Sequence, residues 1–251
     1  MLRICRKSAK NAGFCRRDVE DAVPYNYECG LLRQSEGTPK GVPFLRFGVG
    51  CGIMGWKSTE RVFWVTEREK MLAGELYDAN FDPELLQQRL EAEDLTWELN
   101  GLRPGDPRRQ MLLEKIMGEL NEGVTVLSPV YFDYGPMTKL GTGTFVNHGC
   151  YFMDGGGITI GKNCFIGPFT GFYTATHPTD FARRNAGLEW AKPIRVGDNC
   201  WFGANCSVMP GVTIGAGCVI AAGSVVTGDI PENSMAAGVP AVVKKKIEQT
   251  P

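Results

Sequence analysis

From Val196 to Ile230 the chain repeats every six residues. The first residue of each hexad is apolar: Val196, Phe202, Val208, Ile214, Ile220 and Val226. The second is mostly small (Gly197, Gly203, Gly215, Ala221), with Met209 and Thr227 as exceptions. The fifth is Cys200, Cys206, Val212, Cys218, Ser224 and Ile230. A helix repeats at about 3.6 residues and a plain strand at about two, so neither explains the period. A six-residue repeat marks a parallel β-helix, in which each hexad forms one short strand and one turn. Three hexads close one coil of a triangular prism. The large first residue is expected to fill the axis, and the small residues to fit the corners.

The same frame recurs upstream. Leu140, Val146 and Phe152 head three hexads, and Ile160, Ile166 and Phe172 head three more. Cys150, Cys164 and Thr170 take fifth positions. Four coils headed at 140, 160, 196 and 214 should therefore stack, with a partial coil before Leu140. Two extra residues bulge between Phe152 and Ile160. The polar stretch between Phe172 and Val196 breaks the frame, so a loop over 173–195 leaves the solenoid. Long loops in compact domains usually serve function, and this one carries His177.

Composition narrows the function classes. A net charge of −1 over 251 residues argues against a general nucleic-acid or membrane-surface binder. No run of apolar residues is long enough for a transmembrane helix. Of nine cysteines, five occupy fifth positions of hexads, which reads as small fillers in a reduced interior. No cysteine or histidine spacing suggests a metal site. These features favour a cytoplasmic protein.

The first 65 residues show no defensible periodicity and form an extension of unknown role. Residues 1–17 carry six basic residues and no acid. That fits a mitochondrial-type targeting segment, and equally a translated upstream region or a disordered tail. Thr66 with Glu69 has capping-box spacing and predicts a helix over 67–77. Asp82-Pro83 predicts a second helix, with Leu85, Leu86, Leu90 and Trp97 as its core face. Asp106-Pro107 predicts a third, carrying Met111, Leu112, Ile116 and Leu120. Residues 66–123 thus read as a helical cap, 124–230 as the solenoid, and 231–251 as a tail. In that tail Pro231 and Pro240 are expected to keep the chain extended, and Lys244, Lys245 and Lys246 form a basic cluster.

Four motifs carry a family resemblance: MLAGELYDAN at 71–80, YTATHP at 173–178, GLEWAKP at 187–193 and DIPENSMAAGVPA at 229–241. The chain from Thr66 to about Ile247 resembles the maltose and galactoside O-acetyltransferases and their nodulation-factor relatives. The resemblance implies a left-handed parallel β-helix, a homotrimer with sites between subunits, and acetyl-CoA as donor. It implies that His177 is the catalytic base. It places Asp78, Asp133, Asn147, Asp154 and Glu189 on the acceptor side. It places Trp201, Ala204, Ala222, Thr227 and Lys245 with the cofactor. Gly228 stands where relatives often have a basic residue, and Val242 where one relative has an Arg, which shifts the expected phosphate contacts to Lys244–Lys246. His148 and Gly149 depart from the usual pattern beside Asn147, which bears on the acceptor and not on the reaction.

The implied chemistry needs few parts. A sugar hydroxyl requires a base as it attacks the thioester, and a histidine suits that task near neutral pH. The chain has only two histidines, His148 and His177. Direct transfer is favoured over an acyl-enzyme, because inward-pointing cysteines are inert. Three readings compete with sugar acetylation. A zinc carbonic anhydrase on this fold would need three histidine ligands, which two cannot supply. A non-catalytic hexapeptide scaffold would need neither His177 nor its loop. Acetylation of a non-sugar acceptor would keep the reaction and change the substrate.

Overall fold

The computed structural model describes residues 65–249, so the expectations for residues 1–64 fall outside it. Short parallel strands stack into three faces. The first face holds Thr138–Leu140, Ile158–Ile160, Ile194–Val196 and Thr213–Ile214. The second runs from Thr125–Val126 through Phe145–Val146, Phe165–Ile166, Trp201–Phe202 and Val219–Ile220 to Ser234–Gly238. The third holds Val130–Phe132, Cys150–Met153, Gly171–Tyr173, Ser207–Val208 and Val225–Val226. In register, Leu140 pairs with Ile160, Ile160 with Val196 and Val196 with Ile214. The four coils and the partial coil before them follow the hexad frame.

Every hexad head from Leu140 to Val226 is buried, and the five fifth-position cysteines are buried with free thiols. Phe152 stacks on Phe172 at 5.5 Å between ring centroids, so the axis is filled by large rings as well as aliphatic side chains. The second position is small at two of the three corners for a steric reason. A Cβ on Gly203 would lie 2.5 Å from the Ala222 amide nitrogen in the next coil. At the third corner the second positions are Met153, Tyr173, Met209 and Thr227, so the restriction does not apply there. It is from this corner, after Tyr173, that the long loop departs.

The frame also runs one step further than the sequence suggests. Ile230 bridges to Ile214, and Ala236, six residues on, pairs with Ile220. The tail is not simply extended. Ser234–Gly238 and Ala241–Lys246 form an antiparallel hairpin that closes the end of the second face.

The cap has three helices: α1 (Glu67–Ala73), α2 (Pro83–Gly101) and α3 (Arg108–Met117). Thr66 and Glu69 form the capping box, but α1 stops at Gly74, which adopts left-handed geometry. The Asp82 side chain caps α2 by accepting from the Leu85 amide at 2.9 Å. Its buried face is Leu85, Ala92, Thr96 and Leu99. Leu90 and Trp97, expected in that face, are exposed, Trp97 by 83%. In α3 the expected Met111 is exposed, while Leu113 and Met117 are buried. The cap buries a face narrower than its apolar content: α2 packs on α3 and on the strand Val130–Phe132, and only Leu85, Ala92, Thr96 and Leu99 of α2 are buried.

Replacing Ile214 by Asp tests the register. The position is 1% exposed, and an unpaired buried carboxylate costs several kcal/mol. Circular dichroism should show loss of the cooperative thermal transition; a melting curve like the parent's would contradict an axial Ile214.

Candidate active site

The loop that leaves the third corner is itself folded. Its strands Ala175–Thr176 and Leu188–Ala191 pair antiparallel, and Tyr77–Asp78 from the cap adds a third strand. A short helix, Phe181–Asn185, caps the far end with Asp180. The expected irregular loop is thus a small sheet tied to the cap.

This sheet aims His177 into a cavity of about 240 Å3 lined by Ala79, Asn80, Arg89, Asp133, Tyr134 and Glu189, among others. The His177 side chain is 43% exposed, open to a reactant. Its Nδ1 lies 3.0 Å from the Leu188 carbonyl oxygen. A carbonyl only accepts, so Nδ1 carries a proton, and in the neutral tautomer this leaves the lone pair on Nε2. Nε2 lies 3.7 Å from Glu189 Oε2. Glu189 in turn accepts a hydrogen bond from the Tyr77 hydroxyl. Burial raises the Glu189 carboxyl above the usual carboxylate range, opposed by the Tyr77 bond, by His177 when its ring is protonated, and by the Arg89 charge.

Asp133 faces the same cavity. It accepts from the Tyr151 hydroxyl, and burial raises its pKa against that bond and the nearby Arg89 charge. Arg89 is the lone cation of α2. It donates to the Tyr134 hydroxyl at 2.7 Å and to the Ala79 carbonyl oxygen. Tyr77, Arg89 and Tyr151 were not singled out from the sequence. Arg89 alone left a signal, as one basic residue in a helix rich in acids.

The other expected acceptor-side residues are placed differently. Asp78 does not line the cavity; its carboxylate accepts from the Asn80 and Phe81 amides and shapes the turn into α2. Asp154 is fully buried. It accepts from the Tyr134 and Gly135 amides and the Thr138 hydroxyl, at 2.9, 2.9 and 3.0 Å. It therefore fixes the bulge that presents Asp133 and Tyr134, from behind.

Asn147, Ala204 and Ala222 lie on the corner between the second and third faces, and Trp201 lies exposed on the second face beside Phe165 and Val219. Asp133, the His177 loop and Thr227 lie on the corner between the third and first faces. Lys245 is exposed on the closing hairpin, paired with Met235. One chain thus presents the expected residues on two separate edges of the prism.

Residues 70–121 match the maltose acetyltransferase hexapeptide capping motif, and 157–168 with 193–228 match the hexapeptide repeat of succinyl-transferase. A Staphylococcus aureus protein named as an acetyltransferase is 52% identical over 185 residues, 73% of this chain and 93% of its own length. The chain belongs to the hexapeptide-repeat acetyltransferases. The solved structure of a maltose O-acetyltransferase from Clostridium difficile is 40% identical, with a TM-score of 0.71, over 73% of this chain and 98% of that one. A hexapeptide-repeat acetyltransferase from Vibrio cholerae, solved with acetyl-coenzyme A, is 37% identical with a TM-score of 0.68, over 73% and 100%. The β-helix is left-handed, as in its structural relatives. Among the described residues no helix is long and apolar enough to cross a membrane, and no group of His, Cys, Asp or Glu is arranged to hold a metal ion.

The burial of Asp154 in this acetyltransferase has a measurable consequence. Desolvation raises its carboxyl to about 6, against three donated hydrogen bonds. An unfolded carboxyl titrates at about 3.9. Between these values the folded state holds the proton more tightly. Asp154 therefore contributes most stability below the unfolded value and loses it as pH rises through about 6. In urea titrations the wild type should gain on Asp154→Asn as pH falls from 7 to about 4, by up to ~1.4 kcal/mol per unit. A pH-independent difference would contradict this.

Proposed function

We propose that this acetyltransferase moves an acetyl group from acetyl-CoA to a hydroxyl of a sugar, with His177 as general base and no covalent acyl-enzyme. The observation that carries the reading is His177 in the cavity, with its Nδ1 3.0 Å from the Leu188 carbonyl oxygen and its Nε2 3.7 Å from Glu189 Oε2. Acetyl-CoA supplies the activated acyl group. Nε2 takes the proton of the acceptor hydroxyl as its oxygen attacks the thioester carbonyl. Glu189 stabilises the imidazolium formed, and His177 returns the proton to the departing sulfur. Direct transfer is supported at Cys150, Cys206 and Cys218, whose thiols burial raises away from the reactive thiolate.

Asp133, with Glu189 and Arg89, offers the polar groups a sugar hydroxyl needs. Asp78 and Asp154 hold the walls that present them. The maltose activity of the Clostridium difficile relative supports a sugar as the acceptor. Trp201, Ala204, Ala222, Thr227 and Lys245 are proposed to hold the donor. They stand largely on another edge from His177, so a complete site needs the edge of a second copy. A homotrimer supplies three equivalent contacts of that kind and closes on itself.

His177→Ala should lower kcat by about 10² to 10⁴, with the KM for acetyl-CoA little changed. Trp201→Ala should instead weaken acetyl-CoA binding with a smaller effect on kcat. Steady-state kinetics with a panel of glycosides checks both; unchanged turnover in His177→Ala would remove it from the mechanism.

Mixing tests the shared site. His177→Ala and Trp201→Ala chains, co-refolded at equal amounts, should recover activity at about a quarter of the sites, by random assortment around a ring. Activity no higher than the mean of the two parents, or a monomer by sedimentation with full activity, would contradict a site shared between copies.

A further inference from the structure

A second cavity of about 350 Å3 adjoins the His177 cleft and is not used by the reaction. It lies between α2 and the outer surface of the third face. Its lining includes Trp97, Tyr131, Tyr151, Glu93 and Asn100. Arg89 and Asp133 line both cavities, so they form the wall between the two. The volume falls within the range of about 300–1,000 Å3 usual for small-molecule sites.

Its chemistry is unusual for a surface recess. Trp97 is 83% exposed on a helix whose other face is core. Tyr131 is 44% exposed and stands 6.3 Å from the Tyr151 ring. These flat apolar faces alternate with a carboxylate, an amide and a guanidinium. Aromatic faces for the apolar side of a ring, with polar groups for its rim, match a pyranose better than an apolar or anionic ligand.

We infer that this cavity is a second sugar subsite, which holds the ring next to the one being acetylated. The acceptor would then be a disaccharide or longer glycoside, lying across the wall formed by Arg89 and Asp133. Trp97 and Tyr131 are specificity-determining residues in this account and take no part in proton transfer. The inference rests on the sugar-acetylation reading for the first ring, and it adds the length of the substrate.

The test uses the full chain and two matched pairs: methyl α-glucoside with maltose, and methyl β-galactoside with lactose. In at least one pair the wild type should show a lower KM for the disaccharide. Trp97→Ala should raise that KM about tenfold, equivalent to the loss of one good contact. It should leave kcat and the monosaccharide kinetics unchanged, and Trp97→Tyr should restore most of the preference. The exposure of Trp97 means that neither variant threatens the fold; Tyr131→Ala gives a second reading from the other wall. Equal KM values within both pairs, or a Trp97→Ala effect shared by monosaccharide and disaccharide, would overturn the subsite. Saturation-transfer NMR with maltose and lactose separates this proposal from the reaction assignment. Disaccharide signals lost in Trp97→Ala, with no acetyl transfer to any sugar, would keep the subsite and sink the acceptor reading. Neither binding nor transfer would sink both.

Discussion

The structure depends on the close stacking of coils at glycine corners. Each coil is joined to the next by main-chain hydrogen bonds such as Gly203 to Ile220 and Gly215 to Ile230, both at 2.8 Å. At those corners the chains approach so closely that an added Cβ on Gly215 would sit 2.4 Å from the Glu232 amide nitrogen. This approach keeps the ladder in register, and the register decides which side chains reach the axis. A slip of one residue would turn every hexad head outward. The third corner, built with larger second residues, is not bound by the same rule. There the chain can leave the solenoid, carry His177 outward and return.

The departure is useful because the loop does not hang free. Its sheet takes Tyr77–Asp78 from the cap as an edge strand, so cap and loop are one unit around the cavity. Tyr77 and Glu189 are 112 residues apart in sequence and hydrogen-bonded in space. The His177 ring is held by a backbone carbonyl on one nitrogen and faces the half-buried Glu189 carboxylate across the other. In the proposed reaction, such preorganisation lets the imidazolium form without rearrangement of its surroundings.

The solenoid was legible because its constraint is local and periodic. Val196 to Val226 announce their inward direction every six residues, and Thr66, Glu69 and Asp82 announce helix starts within a single turn. The frame was lost only after Ile230, where Ala236 is a small hexad head and the proline-bearing hairpin hides it. The cap faces were less legible. Apolarity pointed to Leu90, Met111 and Trp97, but the packing partner selected Ala92 and Thr96. His177 stood out as a histidine in a frame-breaking loop. The network behind it did not, because Tyr77, Arg89 and Tyr151 meet through contacts between distant segments that no local spacing encodes. The resemblance implied a site between subunits, but no motif states which edge of the prism each expected residue occupies, and that assignment came from the fold.

A structure of the chain with coenzyme A and a bound glycoside tests the central claim most directly. The account predicts an acceptor hydroxyl about 3 Å from His177 Nε2, within general-base reach. It predicts the coenzyme A sulfur in the same cleft, bordered by Trp201 of the partner subunit. Coenzyme A lying along an edge remote from His177, with the glycoside touching neither His177 nor Asp133, would contradict it.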